Sequence, residues 1–357
     1  MRNYLVALRT GQNDLAALEN LSKEDQEKIV PLISIRGNKE KPLNKLLENW
    51  DGDILLDVSR QPRDIKQSAL IKDNELLNEK NAFHSKREYF EKLKKIKNFV
   101  PVVSWLDSHS QREIVRYCFE LHNSGFDKIA IRLDAKDPND HDISVINSII
   151  NAFPSPEKLI IIFDYQKIEK PLSTDAKEWL SLTIQDLTFN YGIEEIYLLS
   201  TSFPTEKPAR NTPQYYSNSD LIWQLEIINI YSQVHHGDYA TSDPTGEMEF
   251  IPGMTVYPYA AYSNPRGAEW WTIRQGEDKE FSQYVDIATQ IVALPFFGSV
   301  ACWGDENYSR ISQLDPTDDD RKGWGNSGQW VGYRINQHIV YTLDFIETPT
   351  EEEEDLD

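Results

Sequence analysis

Short runs of aliphatic and β-branched residues alternate with longer, mostly polar stretches along the first two thirds of the chain. Several runs, such as the Leu-Ile-Ile-Ile-Phe of 159–163, are apolar at every position, which is typical of strands covered on both faces. This alternation indicates parallel βα units. Eight strands are predicted: Tyr4 to Leu8, Val30 to Ile35, Ile54 to Val58, Val100 to Trp105, Lys128 to Leu133, Leu159 to Asp164, Glu195 to Ser200 and, more weakly marked, His236 to Thr241.

The polar stretches between these runs carry apolar residues at helical spacing. Gly125 and Gly192 each follow one of these stretches, where a left-handed residue commonly closes a helix. Eight such units predict an α/β fold, a (β/α)8 TIM-like barrel. An open, doubly wound sheet would show the same alternation and is the alternative. The predicted helices are Asp14 to Leu21, Gln111 to Ser124, Ser144 to Phe153, Ala176 to Tyr191 and Asp220 to Gln233.

The last third departs from this pattern. Thr255 to Tyr262 and Glu269 to Gln275 are predicted as strands joined by a turn, and Ser282 to Leu294 and Trp330 to Ile346 as helices. We therefore predict a barrel body over 1–250, an added C-terminal β-hairpin and helices over 251–348 packed on the barrel in the same domain, and a disordered acidic tail over 349–357. A separate small C-terminal domain is the alternative.

Composition agrees with a single cytoplasmic barrel. The 357 residues are 39% hydrophobic and 27% charged, and no stretch approaches the roughly 18 apolar residues needed to span a membrane. The N-terminal apolar run reaches Arg9 too soon for a signal peptide. Cys118 and Cys302 lie far apart in apolar surroundings, which favours buried thiols in a reducing compartment over a disulfide or a zinc cluster.

The formal net charge of −21 limits the partners. A field of this sign repels nucleic acid, so indiscriminate nucleic-acid binding is not expected. Residues 351–357 are almost all acidic, and such a segment is either a solvated end or a docking element for a basic protein partner. We expect a protein partner and no membrane association.

Polar residues recur at the predicted strand ends. In a barrel the βα loops converge at the C-terminal ends of the strands, so these side chains would share one face. They could bind phosphate through arginine, hold a divalent cation between carboxylates, or supply acid and base groups. They could also be ion pairs that only fill the barrel mouth. The residues are Arg9, Arg36, Asp57, Asp107, Arg132, Asp134, Asp164, Ser202, Asp238 and Tyr239.

Other chemistry is weakly marked. His235 and His236 are adjacent on a predicted strand and so point to opposite faces, which disfavours a shared metal. No Gly-x-Ser-x-Gly elbow, phosphate-binding glycine loop or paired Cys-x-x-Cys occurs, so no motif requires a cofactor, although a divalent cation is compatible with the carboxylates. Five of the nine tryptophans crowd the C-terminal third, and we predict that most are buried: Trp270, Trp271, Trp303, Trp324 and Trp330.

The order of these residues resembles the beta protein family of bacteria and phages across essentially the whole chain. Each matching piece is short, but the ordered set is fairly specific. The matching pieces are Leu8-Arg9, Asp14, Ala17-Leu18, Val30-Pro31-Leu32-Ile33-Ser34, Asp57, Arg132, Asp164, Ser202-Phe203-Pro204, Gly237-Asp238-Tyr239, Tyr262, Arg274, Trp303-Gly304-Asp305, Gly325-Asn326, Trp330 and Asn336-Gln337-His338.

The resemblance implies a setting more than a reaction. Members of this family have no settled activity and occur among phage, mobile-element and defence-associated genes, which implies a part in the conflict between host and phage. The chain departs from the family pattern where Arg9 replaces a lysine, Ser34 a strand-two glutamate, and Gln337 a histidine. The loss of a carboxylate and a histidine favours a recognition role over catalysis.

Three functions remain open. The first is a barrel protein of anti-phage defence that binds a phosphorylated or nucleic-acid-derived ligand at its mouth and acts with partner proteins. The second is a carboxylate- or metal-dependent hydrolase, with Asp57, Asp164 and Asp238 as candidate catalytic residues and Asp305 as a further carboxylate. The third is a non-catalytic interaction module. The candidate ligand-binding residues are Arg9, Arg132, Ser202, Tyr239, Arg274, Trp303, Asp305, Asn336 and His338.

Overall fold

Eight parallel strands close into a barrel in the computed structural model, which describes residues 4–136, 138–204, 206–244, 256–276, 280–317 and 323–348. The described strands of the barrel and of a second, smaller sheet are, in chain order, β1 (Tyr4–Arg9), β2 (Ile29–Ile35), β3 (Leu55–Val58), β4 (Val100–Val103), β5 (Ile129–Asp134), β6 (Leu159–Lys167), β7 (Glu195–Thr201), β8 (Gln214–Ser217), β9 (Val234–Asp238), β10 (Tyr259–Asn264) and β11 (Glu269–Arg274). The barrel runs β1-β2-β3-β4-β5-β6-β7-β9 and closes where β9 pairs with both β7 and β1.

Helices connect most of these strands, and two single turns of 3-10 helix lie at Pro156–Lys158 and Phe281–Gln283. The helices are α1 (Gln12–Glu19), α2 (Lys23–Lys28), α3 (Lys41–Asn49), α4 (Pro62–Gln67), α5 (Ala69–Asp73), α6 (Lys80–Lys94), α7 (Gln111–Asn123), α8 (Asp140–Ala152), α9 (Thr174–Tyr191), α10 (Ser219–Ile228), α11 (Tyr284–Val292), α12 (Trp303–Ser312) and α13 (Ser327–Glu347).

The lower part of the barrel interior is apolar. Because side chains alternate along a strand, every second residue points inward. The inward residues form one buried cluster: Leu5, Ala7, Val30, Leu32, Leu55, Val100, Val102, Ala130, Ile160, Ile162, Tyr197, Leu199 and Tyr239. The next inward position on several strands is polar, so polar side chains collect at the C-terminal end of the barrel.

The chain groups into two compact units. Unit 1 comprises 1–11, 29–201 and 220–239 and contains the barrel. Unit 2 comprises 12–28, 202–219 and 240–357. Within unit 2, β10 and β11 form an antiparallel hairpin that β8 extends to three strands. The predicted boundary at residue 250, and the membership of both parts in one domain, stay predictions.

The structure confirms the predicted barrel and its eight strands, and the open-sheet alternative is wrong. The eighth strand begins two residues earlier than predicted, at Val234, where it pairs with Ile196 of β7, and it ends at Asp238 instead of Thr241; its pairing with β1 begins at His236. Gly125 and Gly192 have positive φ, as predicted for helix ends. The predicted helices do not include α2 to α6 or α12, and the predicted strands do not include β8. The tail at 349–357 and Thr255 lie outside the described residues.

Predictions about burial are also confirmed. Cys118 and Cys302 are buried free thiols, and burial raises the pKa of both. Four of the five C-terminal tryptophans are buried, and Trp303 is partly exposed. Over the residues that can be described, no helix combines the length and apolar character needed to cross a bilayer.

Candidate functional site

A buried polar network joins five strands at the C-terminal end of the barrel interior. At its centre is Arg132 of β5, which donates to Asp164 Oδ2 of β6 from Nε (2.9 Å) and to Asp57 Oδ2 of β3 from Nη1 (2.9 Å). Its Nη2 donates to the hydroxyl of Tyr239 (2.8 Å), which in turn donates to Asp164 Oδ1 (2.5 Å). Ser104, just beyond β4, donates to Asp57 Oδ1. One guanidinium therefore ties together carboxylates from two other strands.

Strand geometry explains why these side chains meet. Asp57, Arg132 and Asp164 each lie two residues beyond an inward apolar residue of the same strand, and Tyr239 lies two residues beyond Gly237 at the end of β9. Gly237 lets the strands approach closely, because a Cβ there would lie 2.7 Å from the Leu198 carbonyl oxygen. The barrel thus brings together four residues that are far apart in sequence.

Charges fix the ionisation of Asp57. Burial alone would raise the pKa of its carboxyl, but Arg132, Lys86 and Arg60 outweigh burial and hold that pKa below its ordinary value. Burial raises the pKa of the Tyr239 hydroxyl well above its usual range. Asp57 is therefore a carboxylate and Tyr239 a neutral phenol at physiological pH.

A buried lysine, Lys86 of α6, adds a second cation beside Asp57. Its ammonium donates to the Val102 carbonyl oxygen (3.3 Å) and lies near the rings of Phe90 and Tyr117. Burial lowers the Lys86 pKa to about 8, although the Asp57 carboxylate opposes that shift. The sequence analysis missed this residue. Its signal is a lysine on the apolar stripe that Phe83 and Phe90 mark at helical spacing.

Arg60 is a third cation. It lies at the edge of the network, where part of its side chain is exposed to solvent. It follows β3 and lies 3.5 Å from Asp164 Oδ2, with about a sixth of its side chain exposed (16%). Asp134, at the end of β5, pairs in register with Asp164, and burial together with that neighbouring carboxylate raises the Asp134 pKa. The network is closed around Arg132, whereas Arg60 and Asp134 are accessible to a ligand.

A cleft of about 270 Å3 lies among the loops that follow β1, β2 and β3. Arg36 and Arg63 contribute guanidinium groups to it, and Asp64 binds Arg36 (3.4 Å) and the Ser59 hydroxyl (2.7 Å). This cleft includes Arg36, which the sequence analysis identified, and Arg63, which it did not. It offers cationic, partly open space at the strand C-terminal face.

Asp238 lies outside the polar network. It is one residue from Tyr239 and so points to the opposite side of β9. It accepts a hydrogen bond from Tyr4 (2.7 Å) and lies 3.3 Å from His236, whose ring stacks on Tyr4. His235 instead contacts Tyr197. The two histidines thus have different neighbours, as predicted, and the structure separates Asp238 from Asp57 and Asp164.

Other predicted site residues at the strand ends are more dispersed. Arg9 ends β1 beside Ser34, the position where the resemblance implied a glutamate. Asp107 is exposed in a turn beyond β4. Ser202 belongs to unit 2, where its hydroxyl contacts Asn218 (3.3 Å). The structure does not bring Asp107 or Ser202 into the buried network.

Several of the candidate ligand-binding residues in unit 2 form hydrogen bonds with other protein groups. Asp305 of α12 accepts hydrogen bonds from the hydroxyls of Tyr262 and Tyr341, and burial raises the Asp305 pKa. Asn336 accepts from the Gly304 amide and donates to the Ala17 carbonyl. These side chains join α12, α13 and β10 and serve packing.

Gln337 and His338 have similar roles. Gln337 forms two hydrogen bonds with the backbone of Ser263, and His338 stacks on Trp270 while contacting the Ser263 hydroxyl. Trp303 packs edge-on against Tyr333 and lines a shallow cleft in unit 2. The substitution of Gln337 for a histidine therefore alters a backbone clamp within unit 2.

Arg274 has different surroundings. It lies at the end of β11 with its guanidinium over the Tyr257 ring (5.5 Å), and its Nε is buried without a hydrogen-bond partner among the described atoms. Lys207, Arg210 and Arg334 contact the same small group of aromatic rings. Lys207, Arg210 and Arg334 are not among the residues predicted from the sequence. Arg334 has a visible signal, a cation within the predicted helix Trp330 to Ile346.

Among the described residues, no group of three or more His, Cys, Asp or Glu side chains is arranged to hold a metal ion. Asp57 and Asp164 are both committed to Arg132. The groups suited to contact a ligand are therefore Arg60 and Asp134 at the mouth, Arg36 and Arg63 in the cleft, and the cations of unit 2.

Two comparisons with known proteins find similarity over nearly the whole chain. The family model described as Beta protein matches residues 4–344. A curated relative, Protein beta of Enterobacteria phage P4, is 25% identical over 358 aligned positions that cover 97% of this chain and 94% of the relative. The likeness thus extends over both units.

Proposed function

The chain belongs to the Beta protein family, and we propose that it acts in the conflict between phage and host by binding a phosphorylated or nucleic-acid-derived ligand at the C-terminal face of its barrel. The link to phage rests on the family and on the phage P4 relative. The ligand, the role in defence and the cytoplasmic location belong to the proposal.

One observation carries the ligand-binding proposal: Arg132 is held rigidly between Asp57 and Asp164, while Arg60 lies at the edge of this network with part of its side chain exposed. Barrel proteins bind their ligands at this face, because the βα loops meet there. A preorganised network beneath a partly exposed guanidinium favours recognition of an anion, since guanidinium groups match phosphate oxygens in two-point contacts.

The cleft between the first three βα loops supports the same face. Arg36 and Arg63 add guanidinium groups there, in a chain whose overall charge is strongly negative. Overall negative charge disfavours long, unselective contact with nucleic acid. We therefore propose a small phosphorylated ligand or the end of a nucleic acid, recognised locally, with partner proteins acting downstream.

The proposal is tested with AMP, ATP and a 5′-phosphorylated oligonucleotide as probes in isothermal titration calorimetry. Wild-type protein should bind at least one probe, and Arg60→Gln should weaken that binding about tenfold or more, the loss expected for a charge-assisted contact. The matched control is Arg116→Gln, on α7, whose partly exposed guanidinium pairs with Glu113. Equal binding by wild type and Arg60→Gln would contradict the proposal.

The same assay distinguishes the hydrolase alternative, which one observation favours: the raised pKa of Asp134 beside Asp164 resembles a general acid next to a carboxylate. Release of phosphate or nucleotide from a probe, lost in Asp134→Asn, would support hydrolysis.

A plaque assay tests the proposed role in the conflict between phage and host. Cells that express the wild-type gene should resist at least one phage, and Arg60→Gln should abolish that resistance.

A further inference from the structure

Four cations surround two tyrosines on one face of the small sheet in unit 2. Lys207 Nζ lies 3.7 Å from the ring centroid of Tyr259, and the Arg334 guanidinium lies 5.4 Å from the same ring. Arg210 and Arg274 lie 4.4 and 5.5 Å from the ring of Tyr257. Each tyrosine therefore has two positive charges beside it.

The register of the sheet produces this arrangement. Tyr259 pairs directly with Arg274 across β10 and β11, and the next backbone contact, from Gln275 N to Pro258 O, continues the ladder toward Tyr257. Residues two apart on an extended segment share a face. Arg210 joins this edge through a bridge to Arg274. Backbone pairing thus fixes the positions of Tyr259, Arg274 and Arg210, three of the six groups, before any side chain adjusts.

Among the described residues, no carboxylate forms a direct ion pair with these four cations, and Asp243 acts on Lys207 only at longer range. Arg210 donates to the Tyr257 hydroxyl (2.7 Å) and Arg334 to the Thr241 hydroxyl (3.1 Å), both neutral acceptors. The Arg274 Nε is buried without an acceptor there. Elsewhere in unit 2, Arg266 has Asp344 at 2.7 Å.

The pKa of Lys207 indicates how strongly the neighbouring positive charges repel one another. Burial and then the nearby Arg334 and Arg274 lower the Lys207 pKa to about 7, although the Asp243 carboxylate opposes them. Like charges held together in partly buried surroundings destabilise the protein unless an anion neutralises them. A chain with a net charge of −21 does not need these four cations for its solubility, so solubility does not explain why they lie together.

We propose that Lys207, Arg274 and Arg334 form a binding site in unit 2 for a phosphoryl group, either free phosphate or a phosphomonoester. The two guanidinium groups balance the charge of a dianion, and each can contact two of its oxygens, while the Lys207 ammonium adds a third positive charge when it is protonated. Tyr257 and Tyr259 hold the cations in place through their ring faces. The site uses residues of unit 2 alone and does not depend on the ligand proposed for the barrel mouth.

Binding is expected to take up a proton. An anion beside Lys207 raises its pKa, so the ammonium form is completed as the ligand enters. Sulfate is the suitable probe for this effect because it stays fully ionised while phosphate changes its own charge. Above pH 7 the affinity for sulfate should fall, by a factor approaching about tenfold per pH unit for one coupled proton. Lys207→Met should show no such dependence.

The central test is calorimetric titration of the full chain with inorganic phosphate, sulfate, AMP and adenosine. Phosphate and sulfate should bind, and each of Arg274→Gln, Arg334→Gln and Lys207→Met should weaken binding about tenfold or more. Arg266→Gln, which removes a guanidinium that already has Asp344, should stay within about twofold of wild type. AMP binding that the three cluster variants weaken, without adenosine binding, would assign the site to phosphomonoesters. Phosphate binding without AMP binding would assign it to the free ion.

Three results would overturn the proposal. They are no binding of phosphate or sulfate at millimolar concentration, binding that survives all three cluster variants, or an equal loss in Arg266→Gln. Thermal unfolding of each variant verifies that it is folded. The acidic segment 351–357 lies outside the described residues, so a full-length chain with Glu351→Gln, Glu352→Gln, Glu353→Gln and Glu354→Gln is included. If only that chain binds phosphate, the cations serve the protein's own tail and the proposal fails.

Discussion

Arg132 in the barrel and Arg274 in unit 2 are the same residue type, and the sequence predicts the same anion-gripping role for both. The barrel surrounds Arg132 with Asp57, Asp164 and the Tyr239 hydroxyl, which use most of its hydrogen-bonding capacity. Arg274 has an aromatic ring, neighbouring cations and a buried Nε without a described partner.

The difference separates two uses of a buried charge. A compensated guanidinium stabilises the packing of other strands, and removing it leaves carboxylates unpaired. An uncompensated group of cations costs stability and is retained where a ligand supplies the missing negative charge. We therefore propose that the barrel network positions the groups around it, whereas the unit 2 cations contact a ligand directly.

The largest expected effect comes from Arg132→Met. This change leaves Asp57 and Asp164 buried without their guanidinium, and breaking a buried ion pair from one side costs about 3–5 kcal/mol. The free energy of unfolding by urea should fall by that amount. Arg274→Met is the matched change in unit 2 and should alter stability by less than about 1 kcal/mol, because no carboxylate among the described residues loses a partner.

Equal losses in Arg132→Met and Arg274→Met would remove the distinction between compensated and uncompensated charge. If Arg132→Met does not fold, Arg132→Lys provides the test. It keeps the charge but loses the forked geometry, so it should retain part of the stability.

A smaller effect, of about 2 kcal/mol over two pH units, is expected from Lys207. Its pKa is about 7 in the folded protein, whereas an unfolded lysine titrates near 10.4. Between these values the unfolded chain binds more protons, so the contribution of Lys207 to the free energy of unfolding increases with pH. It is least favourable below pH 7, where the folded protein must hold the charged form.

The measurement is the difference in unfolding free energy between wild type and Lys207→Met at about pH 6.5 and about pH 8.5. Groups other than Lys207, including Lys86, titrate in both proteins and cancel. Wild type should gain relative to the variant at the higher pH. Parallel curves would show that Lys207 is not held in a repulsive cluster.

Local sequence information predicted the core of the barrel network, but not Ser104, Arg60 or Lys86. Asp57, Arg132 and Asp164 each follow a strongly apolar strand, and a parallel barrel brings such ends to one face whatever lies between them. Asp238 shows the limit of this argument. It precedes Tyr239 by one residue, and a shift of one residue on a strand changes the face, so a strand end known only within one or two residues cannot decide which side chain points inward.

The unit 2 cations could not be predicted together for a different reason. Lys207, Arg274 and Arg334 lie in three separate segments, and they meet through the pairing of β10 with β11 and the packing around Tyr259. No period or spacing links them. Lys86 is easier to identify from the sequence, because its position on an apolar helical face is visible there. That Asp57 lies beside it follows only from the tertiary fold.

The smallest of the three effects tests a hydroxyl instead of a charge. In the barrel, Tyr239→Phe removes the group that accepts from Arg132 and donates to Asp164, while Asp164 Oδ1 keeps the Gln166 amide (2.9 Å). Loss of a buried hydrogen bond to charged groups should cost about 1–2 kcal/mol. In unit 2, Tyr257→Phe removes only the acceptor for exposed Arg210 and should cost less than about 0.5 kcal/mol. Urea unfolding of both variants measures these two costs. If Tyr257→Phe lowers the free energy of unfolding as much as Tyr239→Phe does, the unit 2 cations depend on protein hydrogen bonds as strongly as Arg132 does. Protein groups would then already occupy the place that the proposal assigns to an anion.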